Sequence, residues 1–300
     1  MSNETQTHCG IVALIGAPNA GKSTLTNALV GEHVSIVTAK VQTTRFPVRG
    51  IYIHKNAQAI LTDTPGLFKP KEDMLEQKMV ASALAAADDA DIILYMVDAA
   101  KALRALEKNK MPEFPELHAS VDVFLVFNKV DLIEKEKLLR LAQVYNDQFR
   151  FAETFMICAK SGQGTDTLKD KIAERLPVSP YLFPEDEVSD LPLKIYLAEL
   201  TREAAFNRLH QELPYHLAVV TEKLEEKGDV LHVSQLILIK EERHKPIILG
   251  KGGQTLKQIS STSRHAMEKE LEQKIFLRTF VKVQKNWDND LALLSSWQLS

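Results

Sequence analysis

The chain has 300 residues and a mass of 33.7 kDa, with 45% apolar and 26% charged residues: room for two domains of ordinary size and a globular rather than disordered composition. Two distant cysteines, Cys9 and Cys158, exclude a disulfide framework and fit a reducing cytosol. A net charge of −3 argues against nucleic-acid binding on average, yet between residues 240 and 285 eleven Lys/Arg stand against five Asp/Glu.

The polar start MSNETQTHCG is no signal peptide, and His8 and Cys9 read as tail residues without partners at zinc-ligand spacing. IVALIG (11–16) reads as a strand and STLTNALVG (23–31) as a helix closed by Gly31. VRGIYIH (48–54) and AQAILTD (57–63) read as two strands around a short turn, and MVASALAAA (79–87) as a helix. DIILYMVD (91–98) and VDVFLVFN (121–128) are nearly continuous apolar runs, suited to central parallel strands but far short of the ~20 residues a membrane helix needs. ETFMICA (153–159) is a last strand and TDTLKDKIAERL (165–176) a last helix. The alternation predicts an α/β unit with a mostly parallel sheet and helices on both faces over residues 1–175.

Residues 176–192 hold Pro177, Pro180, Pro184 and Pro192 among several acids and read as an extended linker. Residues 193–300 then read as a second, α+β unit. A long helix (195–213) is stopped by Pro214, and a hairpin (216–226 and 230–242) turns at Lys-Gly-Asp. GKGG opens a helix at about 252–263, a second follows at 264–272, and 275–285 is a final strand. The order is α-β-β-α-α-β.

GAPNAGKS (16–23) matches G-x-x-x-x-G-K-S between a strand and a helix, where backbone N–H groups and a helix N-terminus can cradle phosphates. Gly16, Ala17, Pro18, Asn19, Ala20, Gly21, Lys22, Ser23 and Thr24 would line that cradle. Lys22 would reach the β- and γ-phosphates and the Ser23 hydroxyl a Mg²⁺ ion. In the run Asp63, Thr64, Pro65, Gly66 the aspartate can hold Mg²⁺ directly or through water, and the Gly66 N–H can meet the γ-phosphate; taken alone, the run is an ordinary turn. In FNKVD (127–131), Asp131 can accept from N1–H and N2–H₂ of guanine while Asn128 buttresses the loop and Lys129 lies over the ring. Taken alone, this run caps a helix as readily as it clamps a base; behind a P-loop it points to guanine. Cys158, Ala159 and Lys160 close the set, with the Ala159 N–H available to guanine O6.

In this order the motifs resemble translation-factor-type P-loop GTPases, and QTTR (42–45) resembles the first switch of the Era and tRNA-modification group. The resemblance implies a Ras-like fold and a Thr hydroxyl, Thr44 with Thr43 second, that completes the Mg²⁺ shell. Leu67 stands where Ras-like proteins place a water-orienting Gln, so slow intrinsic hydrolysis is expected. The resemblance also implies K⁺ at Asn19, whose charge serves where other GTPases use an arginine finger.

GKGG, between PIILG and a helix in an α-β-β-α-α-β segment with a positive excess, resembles a type II KH domain, whose GXXG loop clamps single-stranded RNA by its backbone. Gly250, Lys251, Gly252 and Gly253 would form the clamp, and Ile247, Ile248 and Leu249 would floor a groove bordered by Lys257 and Arg264. Lys282 and Lys285 would extend the footprint. A degenerate KH module that binds a protein partner is the other reading. The two units together resemble the Era family over nearly the whole chain. That implies a GTP-hydrolysing switch that binds GTP and GDP, attaches to the 3′ end of small-subunit (16S) rRNA and assists 30S subunit maturation. It further implies a cytoplasmic, monomeric protein with weak peripheral attachment to the inner membrane. The tail after Lys285 matches that family only loosely.

Overall fold

Strands form where the N-terminal half holds unbroken apolar runs, and helices cover both faces of the sheet they build. The computed structural model describes residues 6–40, 43–68, 74–112, 114, 121–210, 213–297 and 299. They divide into two units: residues 1–35, 44–70 and 79–190 in one, and residues 36–43, 71–78 and 191–300 in the other.

In the first unit the chain runs β1 (His8–Gly16), α1 (Lys22–Val30), β2 (Val48–His54), β3 (Ala57–Asp63), α2 (Met74–Asp88, grouped with the other unit up to Lys78) and β4 (Ile92–Asp98). It continues through α3 (Ala99–Glu107), β5 (Asp122–Asn128), α4 (Lys135–Gln148), β6 (Glu153–Met156) and α5 (Thr165–Arg175). The sheet order is β2-β3-β1-β4-β5-β6; only the β2–β3 hairpin pair is antiparallel. Parallel strands need both faces covered, and β1, β4 and β5 are buried almost throughout. On one face Leu14, Leu25, Leu61, Leu94, Val126 and Leu168 form a core; on the other Leu125 and Phe127 pack against Leu138, Leu141 and Tyr145.

Helices α3 and α4 lie outside the elements that the apolar runs single out. Asp98 caps α3 by accepting from the Lys101 N–H at 3.0 Å, and Leu138, Leu141, Ala142 and Tyr145 give α4 one buried face at helical spacing. His8 and Cys9 are not tail residues. They sit in β1, with the Cys9 thiol buried beside Gln58 and His8 Nδ1 at 2.8 Å from the Leu176 carbonyl oxygen. The strand reaches back this far because β3 supplies partners as far as Ala57. The last strand ends at Met156, and Ile157 continues its line with one hydrogen bond to Phe127 O.

Residues 178–190 carry no helix or regular strand, as their prolines require, but they are bound along the first unit's edge. Gln58, fully buried, accepts from the Leu182 and Phe183 N–H groups at 2.9 and 3.0 Å and donates to Phe183 O at 2.8 Å. The Ile51 N–H donates to Val188 O, and Arg49 pairs with Asp190 at 2.9 Å.

The second unit contains α6 (Leu193–Arg208), β7 (Leu217–Lys227), β8 (Val230–Ile239), α7 (Lys245–Leu249), α8 (Gln254–Leu271), β9 (Lys274–Val283) and α9 (Leu291–Ser296). Its sheet runs β7-β8-β9, antiparallel then parallel. The α-β-β-α-α-β order is as expected, but its helices lie elsewhere. The first ends at Arg208 rather than 213, because Leu209 turns extended and buries with Leu213 in the core. PIIL, which reads as a plain apolar stretch, is the short helix α7 with Pro246 in its first turn; the expected pair at 252–263 and 264–272 is one helix, α8. Nothing between Gln254 and Leu271 breaks the helical pattern.

Polar groups tie this unit together. Gln235 is fully buried, and its amide joins Thr201 Oγ1 (2.6 Å), Thr221 Oγ1 (3.0 Å) and Leu197 O (2.9 Å). Arg202, also buried, donates through Nε to Glu199 at 2.7 Å and through Nη2 to the Thr43 carbonyl at 2.6 Å. The tail is ordered around Trp287, which is fully buried, donates to His216 O and packs edge-on against Trp297. Among the described residues no helix is long and apolar enough to cross a membrane.

Candidate functional site

The turn from β1 into α1 brings the glycine-rich loop over the C-terminal ends of β1, β3 and β5, where open parallel sheets hold ligands. Lys22 is buried at the base of this loop. Its ammonium donates to the carbonyls of Gly16 (3.0 Å) and Ala17 (3.3 Å), and burial pushes its pKa down to about 8 despite the nearby Asp63. Ser23 follows on α1 and shares a 2.9 Å hydrogen bond with the Thr44 hydroxyl. Asp63, at the end of β3, accepts from Ser35 at 2.6 Å and from Thr44 at 3.4 Å through Oδ2. Its other oxygen, Oδ1, is buried without a hydrogen-bond partner among the described residues. Burial raises the Asp63 pKa, while its Ser23, Ser35 and Thr44 hydrogen bonds and Lys22 oppose the rise.

One carboxylate with a spare buried oxygen beside two hydroxyls suits Mg²⁺, which takes few protein ligands and completes its shell with water and phosphate. A cage of three or more His, Cys, Asp or Glu is absent among the described residues. Of the two threonines, Thr44 faces this cluster, whereas the Thr43 hydroxyl turns to Thr38 at 2.7 Å and Lys40 O at 3.0 Å. Thr64 anchors the DTPG run to β1 by donating to Leu14 O at 2.6 Å. Gly66 lies so near the loop that a Cβ there would stand 2.7 Å from the Pro18 N and Cα atoms. Leu67 packs its side chain towards Ala13 and Ile15 and brings no polar group to the site.

Asn128, at the end of β5, is buried and donates to Ala20 O at 2.9 Å, tying the two loops together. Lys129 takes a left-handed backbone and donates to Asn19 O and Asp98 Oδ2, both at 2.7 Å. Asp131 is exposed, and its carboxylate is free of hydrogen bonds and ion pairs among the described residues. The Ala159 N–H, expected to be available to a ligand, instead donates to Asn128 Oδ1 at 3.0 Å. The Cys158 side chain is buried, its N–H bound to Gln163 O, and Lys160 is exposed. Val41 and Gln42, at the start of the expected first switch, and residues 69–73, after the DTPG run, lie outside the described residues.

The second glycine loop joins α7 to α8. Gly250, Gly252 and Gly253 have φ of 72°, 60° and 77°, values that glycine alone tolerates readily, and Lys251 projects into solvent between them. Two of the expected groove residues, Ile248 and Arg264, are placed otherwise than expected. Ile248 is fully buried in the core with Ile237, Ile239 and Ile259, because α7 turns that face inward; Ile247 is the exposed one and Leu249 is half-buried. Arg264 is engaged by Glu268 one turn on, with Nη1 at 2.7 and 2.9 Å from its two oxygens, so its charge is not free. Lys257 is exposed one turn into α8. Beside the loop, a cavity of about 370 Å³ is lined by Arg208, His210, His244, Ile247 and Thr255 among others. No motif marks these residues; only the fold assembles them.

Residues 11–129 match the family model of the 50S ribosome-binding GTPases, and residues 212–288 that of the KH domain. GTPase Era of Bradyrhizobium diazoefficiens is 48% identical over 285 residues, 95% of this chain and 92% of its own; that of Sinorhizobium medicae is 47% identical over 95% and 91%. Two solved structures superpose with TM-scores of 0.91 at 34% identity over 98% of this chain. One, covered in full, is an Aquifex aeolicus Era variant bound to GDP·AlF4⁻. The other, covered to 99%, is Era with MgGDPNP and nucleotides 1506–1542 of 16S ribosomal RNA. A Ras-like GTPase domain with a mostly parallel sheet is thus followed by a KH domain, and the chain belongs to the Era family of GTPases.

Proposed function

We propose that this GTPase is a switch whose nucleotide state governs its hold on single-stranded RNA at the 3′ end of small-subunit rRNA, in the service of 30S assembly. One observation carries the RNA half of the reading. The loop ahead of α8 keeps three glycines in left-handed or related conformations with an exposed lysine among them, so a phosphate backbone can approach the main chain. The similar Era structure with a 16S rRNA fragment supports the choice of RNA.

In the nucleotide site, Lys22 exchanges its carbonyl partners for the β- and γ-phosphates. Asp131 receives the guanine edge, held in place by the Asn128 and Lys129 tethers. Ser23, Thr44 and Asp63 would hold Mg²⁺, which would offset charge on the phosphates. The Gly66 N–H meets the γ-phosphate, so residues 38–46 and 63–75 respond to its presence. Leu67 brings no polar group that could orient water, and Asn19 would hold K⁺, whose charge would compensate. An unchanged hydrolysis rate on replacing K⁺ with Na⁺ removes that last element alone. The proposal further includes a cytoplasmic monomer weakly attached to the inner membrane, testable by light scattering and vesicle flotation.

The test of the RNA reading is affinity for an oligoribonucleotide of the rRNA 3′ end, measured with Lys251→Ala and Gly252→Asp. Loss in both is expected. Unaltered affinity in both assigns the loop a scaffolding role in a protein-binding module.

A further inference from the structure

The edge strand β9 carries an alternation that the glycine loop does not use. Its odd-numbered residues face the helices: Ile275 is buried with Met267 of α8, Thr279 bonds Ser260 of α8 at 2.6 Å, and Val281 packs with Ile248 and Ile259. Its even-numbered residues therefore point to the opposite side of the sheet. They read Lys274, Phe276, Arg278, Phe280, Lys282, and all are exposed, the two phenylalanines to 43% and 55%. Side chains on one strand face recur about every 6.6 Å, so cations and rings alternate at that interval. The Phe276 ring lies tilted against His232 of β8, at 4.8 Å between centroids, with the Arg278 guanidinium 5.2 Å from its centroid, and stays 43% exposed. None of the three cations forms an ion pair among the described residues. Glu225 of β7, paired in register with His232 on this face, is already held by Lys223 and Lys227.

We infer that this outer sheet face is a second binding surface for single-stranded RNA, with bases stacked on Phe276 and Phe280 and phosphates met by Lys274, Arg278 and Lys282. Exposed rings alternating with unpaired cations are what a sequence-tolerant single-strand track requires. A protein partner would have to bring acids at the same spacing. A membrane surface would engage the rings by insertion, and here each ring is flanked on both sides along the strand by charge. The surface lies on the face of the sheet turned away from α8, which begins at the glycine loop. It extends the RNA reading above to a separate site, and is tested separately from it.

The full chain with Mg²⁺ and a GTP analogue is titrated with labelled single-stranded oligouridylates of increasing length. The variants are Phe276→Ala/Phe280→Ala, Arg278→Glu and Gly252→Asp, with thermal unfolding checked for each. Since base–aromatic stacking is worth ~1–3 kcal/mol per base, the double phenylalanine variant, losing two such contacts, is expected to lose at least about 30-fold in affinity for long RNA. It should keep its affinity for RNA that fills the glycine loop alone. Arg278→Glu should weaken long-RNA binding and reduce its salt dependence. Ultraviolet crosslinking should recover uridine on the peptide spanning residues 275–282 of the parent protein and lose it in the double variant. If the double variant binds long RNA like the parent while Gly252→Asp does not, this inference is overturned and the glycine-loop reading stands. Failure of the parent to bind RNA of any length overturns both. Loss of binding to anionic phospholipid vesicles in the double variant, with RNA affinity intact, makes the face a membrane contact and overturns the inference as well.

Discussion

Lys22 is an ammonium stored inside the protein against two carbonyls, with a pKa pushed down to about 8 by burial. In the folded chain it binds fewer protons than when unfolded between about pH 8 and 10.4, so its contribution to stability rises with pH across that window. A triphosphate reverses the shift by holding the charged form. Nucleotide binding at pH 8 should therefore take up protons from solution, and fewer at pH 6.5. Calorimetry in buffers of different ionisation enthalpy measures that uptake, and equal uptake at both pH values would contradict the assignment. Asp131 makes a second test at this scale. Its Asn variant should lose guanine affinity by about 100-fold, the worth of a good bidentate base contact of ~3 kcal/mol, and gain affinity for xanthine nucleotides. The glycine-rich loop, Asp63 and Asn128, which the structure gathers at the ends of β1, β3 and β5, were legible in the sequence because each stands at a fixed spacing from a strand end. Arg264 was not legible, since its charge is cancelled by Glu268, which only helical geometry brings near. Ile248 was misplaced because three consecutive apolar residues do not reveal which one a five-residue helix turns inward.

Loops of the first unit are set by close approach rather than by their own preferences. Gly66→Ala would place a methyl group 2.7 Å from Pro18, displacing either the phosphate loop or the Asp63–Gly66 turn. GTP hydrolysis should fall while the fold survives, with circular dichroism unchanged. Gln58 does comparable work for the segment after α5. Gln58→Ala strands the Leu182 and Phe183 N–H groups and Phe183 O, and should cost about 2–4 kcal/mol in denaturant unfolding. In the second unit Arg202→Ala leaves the Glu199 carboxylate buried without its cation and should cost about 3–5 kcal/mol. The central strands and the hairpins were legible because apolar runs of strand length, bounded by turn residues, admit few other readings. Helix α7 and the ordered tail were not. The first is too short to show a period, and the second buries Trp287 and Trp297 through contacts distant in sequence.

For the whole molecule, the proposal couples two phosphate-binding loops carried by one chain. Coupling between two ligands is reciprocal in free energy: if GTP tightens RNA binding by some factor, RNA tightens GTP binding by the same factor. Phosphate contacts add that affinity should fall steeply as salt rises. The most direct measurement is the affinity of the full chain for an oligoribonucleotide of the 16S rRNA 3′ end, taken with Mg²⁺ and a non-hydrolysable GTP analogue and again with GDP. The account predicts binding tighter in the GTP-analogue state, by roughly 5- to 150-fold on the usual scale of coupling energies. Equal affinity in the two states, or none in either, would contradict it.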